Sequence, residues 1–341
     1  SSETISTPLA DHTYAMQISQ PFLGLAIGVN KESGGGTVAA PGDNMTISVA
    51  YENNLPTEIS DAIIVARLSG IEIDGAGVKS ADGFYRSTDN TVLWDKSTTN
   101  GELASLAPGA KGAVSFSFQM PQSEALKNIS NPHLDISVNA AGKRLSETGV
   151  PQSLQSATRQ TIKLATDLQL NAQALYYANP FGSSGPMPPK AGTETTYGLV
   201  FTITNTTNKI SGAKVTASLP PYVRWIGSHA PASEKLSFNQ SDGTFTWDIG
   251  DIGPGVGIGS TTPRQIAIAI GFTPSTSQIG DQPILVQNVA LSGVDAATGA
   301  IVTRKTLPNV TTNLAIVSKS SPDALVGTDP GFSPANATVV K

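Results

Sequence analysis

Apolar and polar residues alternate in short runs along almost the whole chain, the period that sends every second side chain to one face of a β-strand. "TISVAYEN" at Thr46 to Asn53 sets Ile47, Val49 and Tyr51 on one face, and "YGLVFTITN" at Tyr197 to Asn205 does the same with Tyr197, Leu199, Phe201 and Ile203. Both runs end in Asn and pass into a polar turn. "SDAIIVARLSGI" from Ser60 and "SGAKVTASLPPYV" from Ser211 each open on Ser-x-Ala and reach Leu eight residues after the Ser. Alternation then places Ala62, Ile64, Ala66 and Leu68 inward in one half, with Ala213, Val215, Ala217 and Leu219 as their counterparts in the other.

The next matched feature lies 26 residues beyond Leu68 and 28 beyond Leu219: Trp94 in "NTVLWDKSTTNGELASLAPG" and Trp247 in "GTFTWDIGDIGPG". Each Trp-Asp is followed by a Pro-Gly corner and another alternating run, "VSFSF" at Val114 to Phe118 and "IAIAIGF" at Ile266 to Phe272. Each half closes on a β-rich segment, "TIKLATDL" or "NVTTNL". The order reads as an internal duplication of about 150 residues with a boundary near Thr166 to Leu170. Short strands separated by Gly, Pro, Asn and Asp turns predict an all-β chain of two tandem immunoglobulin-like antiparallel β-sandwich domains. The expected division is an N-terminal extension over 1–20, sandwiches over 21–166 and 167–316, and a C-terminal extension or linker over 317–341. The expected structural core set comprises Trp94, Pro108, Gly109, Trp247, Pro254 and Gly255: Trp94 and Trp247 fill the space between sheets, and the Pro-Gly pairs turn the chain.

Composition agrees with this reading. Charged residues are 14% of the 341, while Gly and Pro number 33 and 23, which is turn-rich and short of helix formers. The absence of Cys excludes a disulfide scaffold, a Cys-ligated zinc site and a thiol nucleophile. Net charge is -5 with no Lys/Arg cluster to neutralise phosphates, so nucleic acid is not an expected partner. Apolar runs fall far short of the roughly 20 residues that cross a bilayer, and no membrane span is expected in the chain. "SSETISTPLADHTYAM" has neither a basic leader nor an apolar stretch, so no signal peptide is read there. The start at Ser1 rather than Met is read as a processed or partial product.

An Asn-terminated strand, an LP-like segment, a W-x-(I/L)-G-x-(I/L)-x-P-G corner and a (V/I)-x-(F/I)-x-(F/I) strand together resemble the conserved immunoglobulin-like repeat of bacterial and archaeal surface proteins. The second half, "YYANPFGSSGPMPPKAGTETTYGLVFTITNTTNKISGAKVTASLPPYVRW", is similar to the version in large surface proteins of candidate-phylum bacteria. The likeness covers roughly Leu168 to Leu314 and, more loosely, Phe22 to Leu164. It implies extracellular sandwiches anchored at, or built into, a bacterial or archaeal envelope, and it brings no catalytic residues.

Chemistry-bearing residues are sparse. His12, His133 and His229 stand far apart and in no ligand spacing, and no G-x-S-x-G elbow is present. Calcium has weak candidates in Asp242, Asp248 and Asp251, and in the stretch bracketed by Asp74 and Asp82, without EF-hand spacing. Ordinary turn residues are the better reading, so no cofactor is expected and no enzyme activity is assigned. Six N-x-S/T triplets, beginning at Asn44, Asn128, Asn205, Asn239, Asn309 and Asn336, suit a chain this rich in Asn, Ser and Thr. "PPYVRW" at Pro220 to Trp225 reads as a structural corner.

The aromatic, Pro-rich stretch "YYANPFGSSGPMPP" is the expected interaction surface, with Tyr176, Tyr177 and Phe181 as anchors. An extended terminal segment can also pair with an open sandwich edge on a neighbouring copy. The leading expectation is a structural protein of a cell-surface layer or filament that self-associates into a homopolymer. The alternative is an adhesin or carbohydrate-binding module using the Tyr176 loop, with a surface glycan or envelope component as partner.

Overall fold

The computed structural model describes residues 21–30, 32–33, 37–126, 129–145, 149–304, 307–319 and 329–341. The expected 1–20 extension, His12 and Asn128 lie outside the described residues. The first half contains β1 (Leu23–Val29), β2 (Glu32–Ser33), β3 (Thr37–Ala39), β4 (Asn44–Asn53), β5 (Ile59–Gly70), β6 (Phe84–Arg86), β7 (Thr91–Trp94), β8 (Ser105–Leu106), β9 (Lys111–Gln119), β10 (His133–Leu145) and β11 (Pro151–Leu164). The second contains β12 (Leu168–Leu175), β13 (Thr195–Asn205), β14 (Ile210–Ser218), β15 (Val223–Ala230), β16 (Lys235–Asn239), β17 (Thr244–Ile252), β18 (Arg264–Phe272), β19 (Ile284–Asp295), β20 (Ile301–Arg304), β21 (Val310–Thr311) and β22 (Ser318–Lys319).

Two sandwiches result. In the first, a sheet of order β2-β1-β4-β9 faces one of order β3-β11-β10-β5-β7-β6; in the second, β15-β18-β13-β12-β22 faces β16-β17-β14-β19-β20. The central orders coincide: β1-β4-β9 with β12-β13-β18, and β11-β10-β5-β7 with β20-β19-β14-β17. This is the immunoglobulin-like sandwich of two mainly antiparallel sheets, with β3 added in parallel to β11 in the first. No helix among the described residues is long and apolar enough to cross a membrane.

The alternation seen in the sequence becomes the core. Ile47, Val49 and Tyr51 are buried with Ala62, Ile64, Ala66 and Leu68 in one cluster, and Tyr197, Leu199, Phe201 and Ile203 with Ala213, Val215, Ala217 and Leu219 in the other. The two tryptophans hold matching positions in their sheets: Trp94 pairs with Ile64, and Trp247 pairs with Val215. Both are fully buried, Trp94 beside Phe116 at 5.9 Å between ring centroids. Burial of a side chain this large contributes several kcal/mol to each core.

The Pro-Gly corners need a correction. Pro108, Gly109 and Pro254 are exposed and Gly255 half-buried, so these residues turn the chain at the surface and do not belong to the core. The glycines carry φ of 72° and 75°, the left-handed backbone that glycine adopts without a Cβ clash. What fixes each corner is the Asn that ends a strand well upstream in the chain, Asn53 of β4 or Asn205 of β13. Asn53 donates from Nδ2 to Leu106 O and Ala107 O at 2.9 and 3.1 Å. Asn205 donates in the same way to Gly253 O at 2.9 Å and to Asn208 O at 2.7 Å. One backbone bond matches, Asn53 N to Ala110 O and Asn205 N to Val256 O, and the other is shifted by a residue, Gly109 N to Asn53 O against Gly255 N to Thr206 O. A buried side-chain amide that satisfies the carbonyls of a tight corner explains why both strands end in Asn.

One buried ionic feature of the first sandwich contributes to its acid response. Asp135, buried on β10, accepts from Thr161 Oγ1 at 2.6 Å and from the Arg159 guanidinium. The Thr161 hydroxyl first, then Arg159, hold its carboxyl below the usual carboxylate range. A lowered folded-state pKa means the stabilisation is complete above the unfolded value of about 3.9 and is lost as pH falls through the lower folded value. The expected result is that Asp135→Asn is less stable than the parent at neutral pH, and that the difference narrows in acid. Urea midpoints of the first-sandwich transition, compared between about pH 7 and below about pH 3, check it.

Of residues 317–341, expected to be an extension or linker, the described residues 317–319 and 329–341 instead pack on the second sandwich. Ser318 and Lys319 add β22 to β12, opposite Ala172 and Asn171, and Val339 is buried in the second core.

Candidate functional site

Two arrangements join parts of the chain that the linear order keeps apart: the junction between the sandwiches and the seat of residues 329–341. At the junction only 165–167 separate β11 from β12. Leu164 and Ala165 remain bonded to the first sandwich, through Leu164 N to Pro132 O at 3.0 Å and Ala165 N to Ala39 O at 2.9 Å. The following atoms are held by the second. Asn208 Nδ2 donates to Leu164 O at 2.8 Å and to Asp295 Oδ2 at 2.9 Å, and Thr166 N donates to the same Asp295 oxygen at 2.9 Å. Thr166 Oγ1 donates to Asn205 Oδ1 at 2.7 Å, and Thr207 N donates to Thr166 Oγ1 at 2.9 Å.

Asn205, Asn208 and Asp295 are fully buried, so each of these bonds acts with little competition from water. Asp295 also accepts from Ala297 N and Thr298 N at 2.9 and 3.2 Å, which keeps its charge hydrogen-bonded on every side. At the rim, Lys163 Nζ donates to Ala297 O at 2.9 Å and Arg304 pairs with Asp167 at 3.2 Å. A short linker anchored in this way leaves few backbone dihedrals free to act as a hinge.

The second arrangement uses the aromatic loop. Asp329, 3% exposed, accepts three consecutive backbone N–H groups: Tyr176 and Tyr177 on Oδ2 at 2.8 and 2.9 Å, and Ala178 on Oδ1 at 2.8 Å. A carboxylate on adjacent amides is an anion nest, with bonds stronger than those between neutral groups. Further along, Gly331 lies against the Tyr177 ring, and Phe332, like Tyr176 and Met187, packs against the second core. Ala337 O accepts from the buried Thr312 hydroxyl at 2.6 Å. Val339 exchanges two 3.0 Å backbone bonds with Gly280 and Asp281, and Val340 bonds Pro189 O and Ala191 N at 2.8 and 3.0 Å in a parallel bridge with Lys190.

The loop is itself held down. Tyr176 donates from its hydroxyl to Gly185 O at 2.8 Å and meets Tyr177 and Tyr197 edge-on at 5.1 and 6.1 Å. Asn179 lies over β13 at Gly198, where an added Cβ would sit 2.4 Å from Asn179 Oδ1; glycine there lets the loop close onto the sheet. Of the three predicted anchors, the structure brings Tyr176 and Tyr177 together with residues 329–341. Tyr177 is half exposed, and Phe181 is half-buried on a turn that Asn179 caps at 3.1 Å.

The carboxylates predicted as calcium candidates are spread along an extended strand. Asp242 lies in the turn before β17, accepting from Thr244 N and Asn239 Nδ2 at 2.9 and 3.0 Å. Asp248 sits between Lys214 and Lys235 in sheet register, and Asp251 pairs with Lys209 at 2.6 Å. At about 3.3 Å per residue, β17 holds Asp242 and Asp251 well beyond a shared coordination sphere. No group of three or more His, Asp or Glu side chains converges as metal ligands among the described residues. His133 and His229 belong to different sandwiches. Pro220, Pro221 and Val223 to Trp225 of "PPYVRW" line a surface cleft of about 730 Å³, in which Trp225 stacks on Phe238 at 4.6 Å.

Sequence reasoning missed Asp295, Asn208 and Asp329. Asp295 and Asp329 look like ordinary turn residues, and the only local signal was the repeated strand-end Asn.

No family model and no curated protein matches the chain. Among solved structures, the C-terminal domain of the AgI/II polypeptide BspA from Streptococcus agalactiae is 10% identical, with 83% of this chain and 99% of that one covered at a TM-score of 0.29. BcpA, the major pilin subunit of Bacillus cereus, is 11% identical over 88% of this chain and 67% of its own, also at 0.29. The secreted serine protease VesC from Vibrio cholerae is 12% identical over 70% and 45%, at 0.22. Likenesses of this size carry no argument about activity, partner or location.

Proposed function

We propose that the chain is a non-enzymatic extracellular structural protein, a subunit of a cell-surface layer or filament assembled through β-sandwich contacts, with exchange of a terminal segment as one means of joining. The observation that supports this reading is the junction. Tandem domains move relative to one another by default. Here the linking residues are bonded into both sandwiches through Asn208, Asp295 and Thr166, which gives a stiff two-domain unit. Stiffness of this kind serves a protein that must hold a repeat distance under load, and a head-to-tail contact whose rotation does not close a ring extends such units into a filament.

Electron microscopy of native material tests the proposal: a lattice or filament supports it, and a protein that stays monomeric at high concentration, with and without calcium, overturns it. The junction has its own test. Asn208→Ala removes the donor that ties Leu164 O to Asp295, an expected loss of about 1–3 kcal/mol. Small-angle scattering is expected to report a more flexible pair of domains, with both sandwiches still folded. Unchanged scattering would assign the stiffness elsewhere.

A further inference from the structure

We infer that residues 329–341 are an exchangeable arm, and that their seat on the second sandwich also accepts the same segment from a second copy of this chain. The inference rests on the structural-subunit reading and names the parts that join.

The first support is where the segment is anchored. Its anchoring contacts described above all fall on the second sandwich: the amides of Tyr176 to Ala178, Thr312, Gly280 and Asp281, and the strip from Pro189 to Ala191. Nothing in those contacts requires the arm to come from the same chain.

The comparison of the two sandwiches supplies the second support. In the first, the loop strand β3 finds its parallel partner in Ile162 to Leu164, the end of the continuous strand β11. In the second, the corresponding loop between β12 and β13 finds its parallel partner in Val340. That partner follows β22 only after residues 320–328. The second sandwich is therefore completed by a segment, joined through an isolated parallel bridge, that its neighbouring strands do not deliver directly, and exposed backbone of this kind takes an extended segment with the right pattern.

Energetics then set the conditions. A swapped arm makes the same bonds as an unswapped one, so the two states differ mainly through the effective concentration of the attached arm, of millimolar order for a short linker. Dilute chains keep their own arms, and crowded subunits exchange them. Nine residues separate Lys319 from Asp329 and reach at most about 30 Å, so the donor must bring its own second sandwich close to the acceptor's. Exchange thus joins second sandwich to second sandwich.

The parent has no cysteine, which permits a clean test with the full chain. Lys190 and Val340 are bridge partners, and strands spaced at about 4.8 Å fall within the Cα range a disulfide spans. Chains carrying only Lys190→Cys are mixed with chains carrying only Val340→Cys and oxidised. The expected result is a mixed disulfide whose yield rises toward millimolar protein. It should exceed that of Val340→Cys chains mixed with Ser153→Cys chains, whose thiol lies on β11, and fall when the donor also carries Asp329→Ala. The double variant in one chain verifies that the seat forms and that the pair closes. A mixed disulfide no greater than the Ser153→Cys control, while the double variant closes fully, overturns the inference. Arrays in the microscope without mixed disulfide overturn exchange and leave the structural reading standing. Mixed disulfide in soluble dimers without arrays supports exchange and counts against the structural reading.

Discussion

Trp247→Ala is expected to unfold the second sandwich at markedly lower temperature while leaving the first almost unchanged. Trp247 is fully buried between the sheets, close to Phe245 and Val215 in the same core, and its removal leaves a cavity that strands locked in two hydrogen-bonded sheets cannot collapse to fill. Losses of about 3–5 kcal/mol follow such a truncation. At about 2–4 °C per kcal/mol for chains of this size, the midpoint falls by roughly 10 °C. A second term is polar. The indole Nε1 donates to Glu234 Oε2 at 2.7 Å, and Glu234, 5% exposed, is also bound by Arg264 at 2.7 Å. Trp247→Phe keeps most of the apolar body and removes that donor, so it is expected to cost less, about 1–3 kcal/mol. Calorimetry of Trp94→Ala beside Trp247→Ala assigns each transition to its sandwich. A loss below about 1 kcal/mol for Trp247→Ala would show that the core relaxes around the gap.

Asp329→Ala is expected to detach residues 329–341 and leave the rest of the second sandwich folded. Bonds to an ionised group contribute about 1.5–3 kcal/mol each, and Asp329 accepts three, so the seat loses about 3 kcal/mol or more even after new hydration of the loop. Amide exchange at Tyr176, Tyr177 and Ala178 is expected to quicken by about a hundredfold or more, and exchange at Val339 and Val340 with it. Asp329→Asn is expected to behave almost as severely. Its amide has one oxygen, and its NH₂ faces backbone N–H donors where the carboxylate had a second acceptor. Protection that survives in both variants would locate the hold on the segment in Val339 and its two backbone bonds.

These two variants separate what was legible in the sequence from what was not. Trp247 could be selected in advance: its alternation phase with Phe245, its place before a Pro-Gly corner and its echo in Trp94 all mark an inward residue. Asp329 could not. It stands in "GTDPGF", which reads as a turn, and its partners lie about 150 residues away in the chain. The aromatic loop and residues 317–341 were each legible as unassigned features, but their contact with one another was not.

The division has a physical cause. Alternation with a period of two is a local property of an extended backbone, so the sequence by itself determined which face of β4, β5, β13 and β14 is buried, that the chain is all-β, and that two cores form in tandem. The strand-end Asn and the Pro-Gly corners were also local, and the structure had only to move Pro108, Gly109 and Pro254 from the core to the surface. Tertiary structure alone decided which buried polar groups meet. Asp295 with Thr166, Asn208 with Leu164 and Asp329 with Tyr176 are joined across long stretches of chain. No residue pattern near any of them specifies the partner, because a hydrogen bond's partner is set by how the sheets stack and where the loops return.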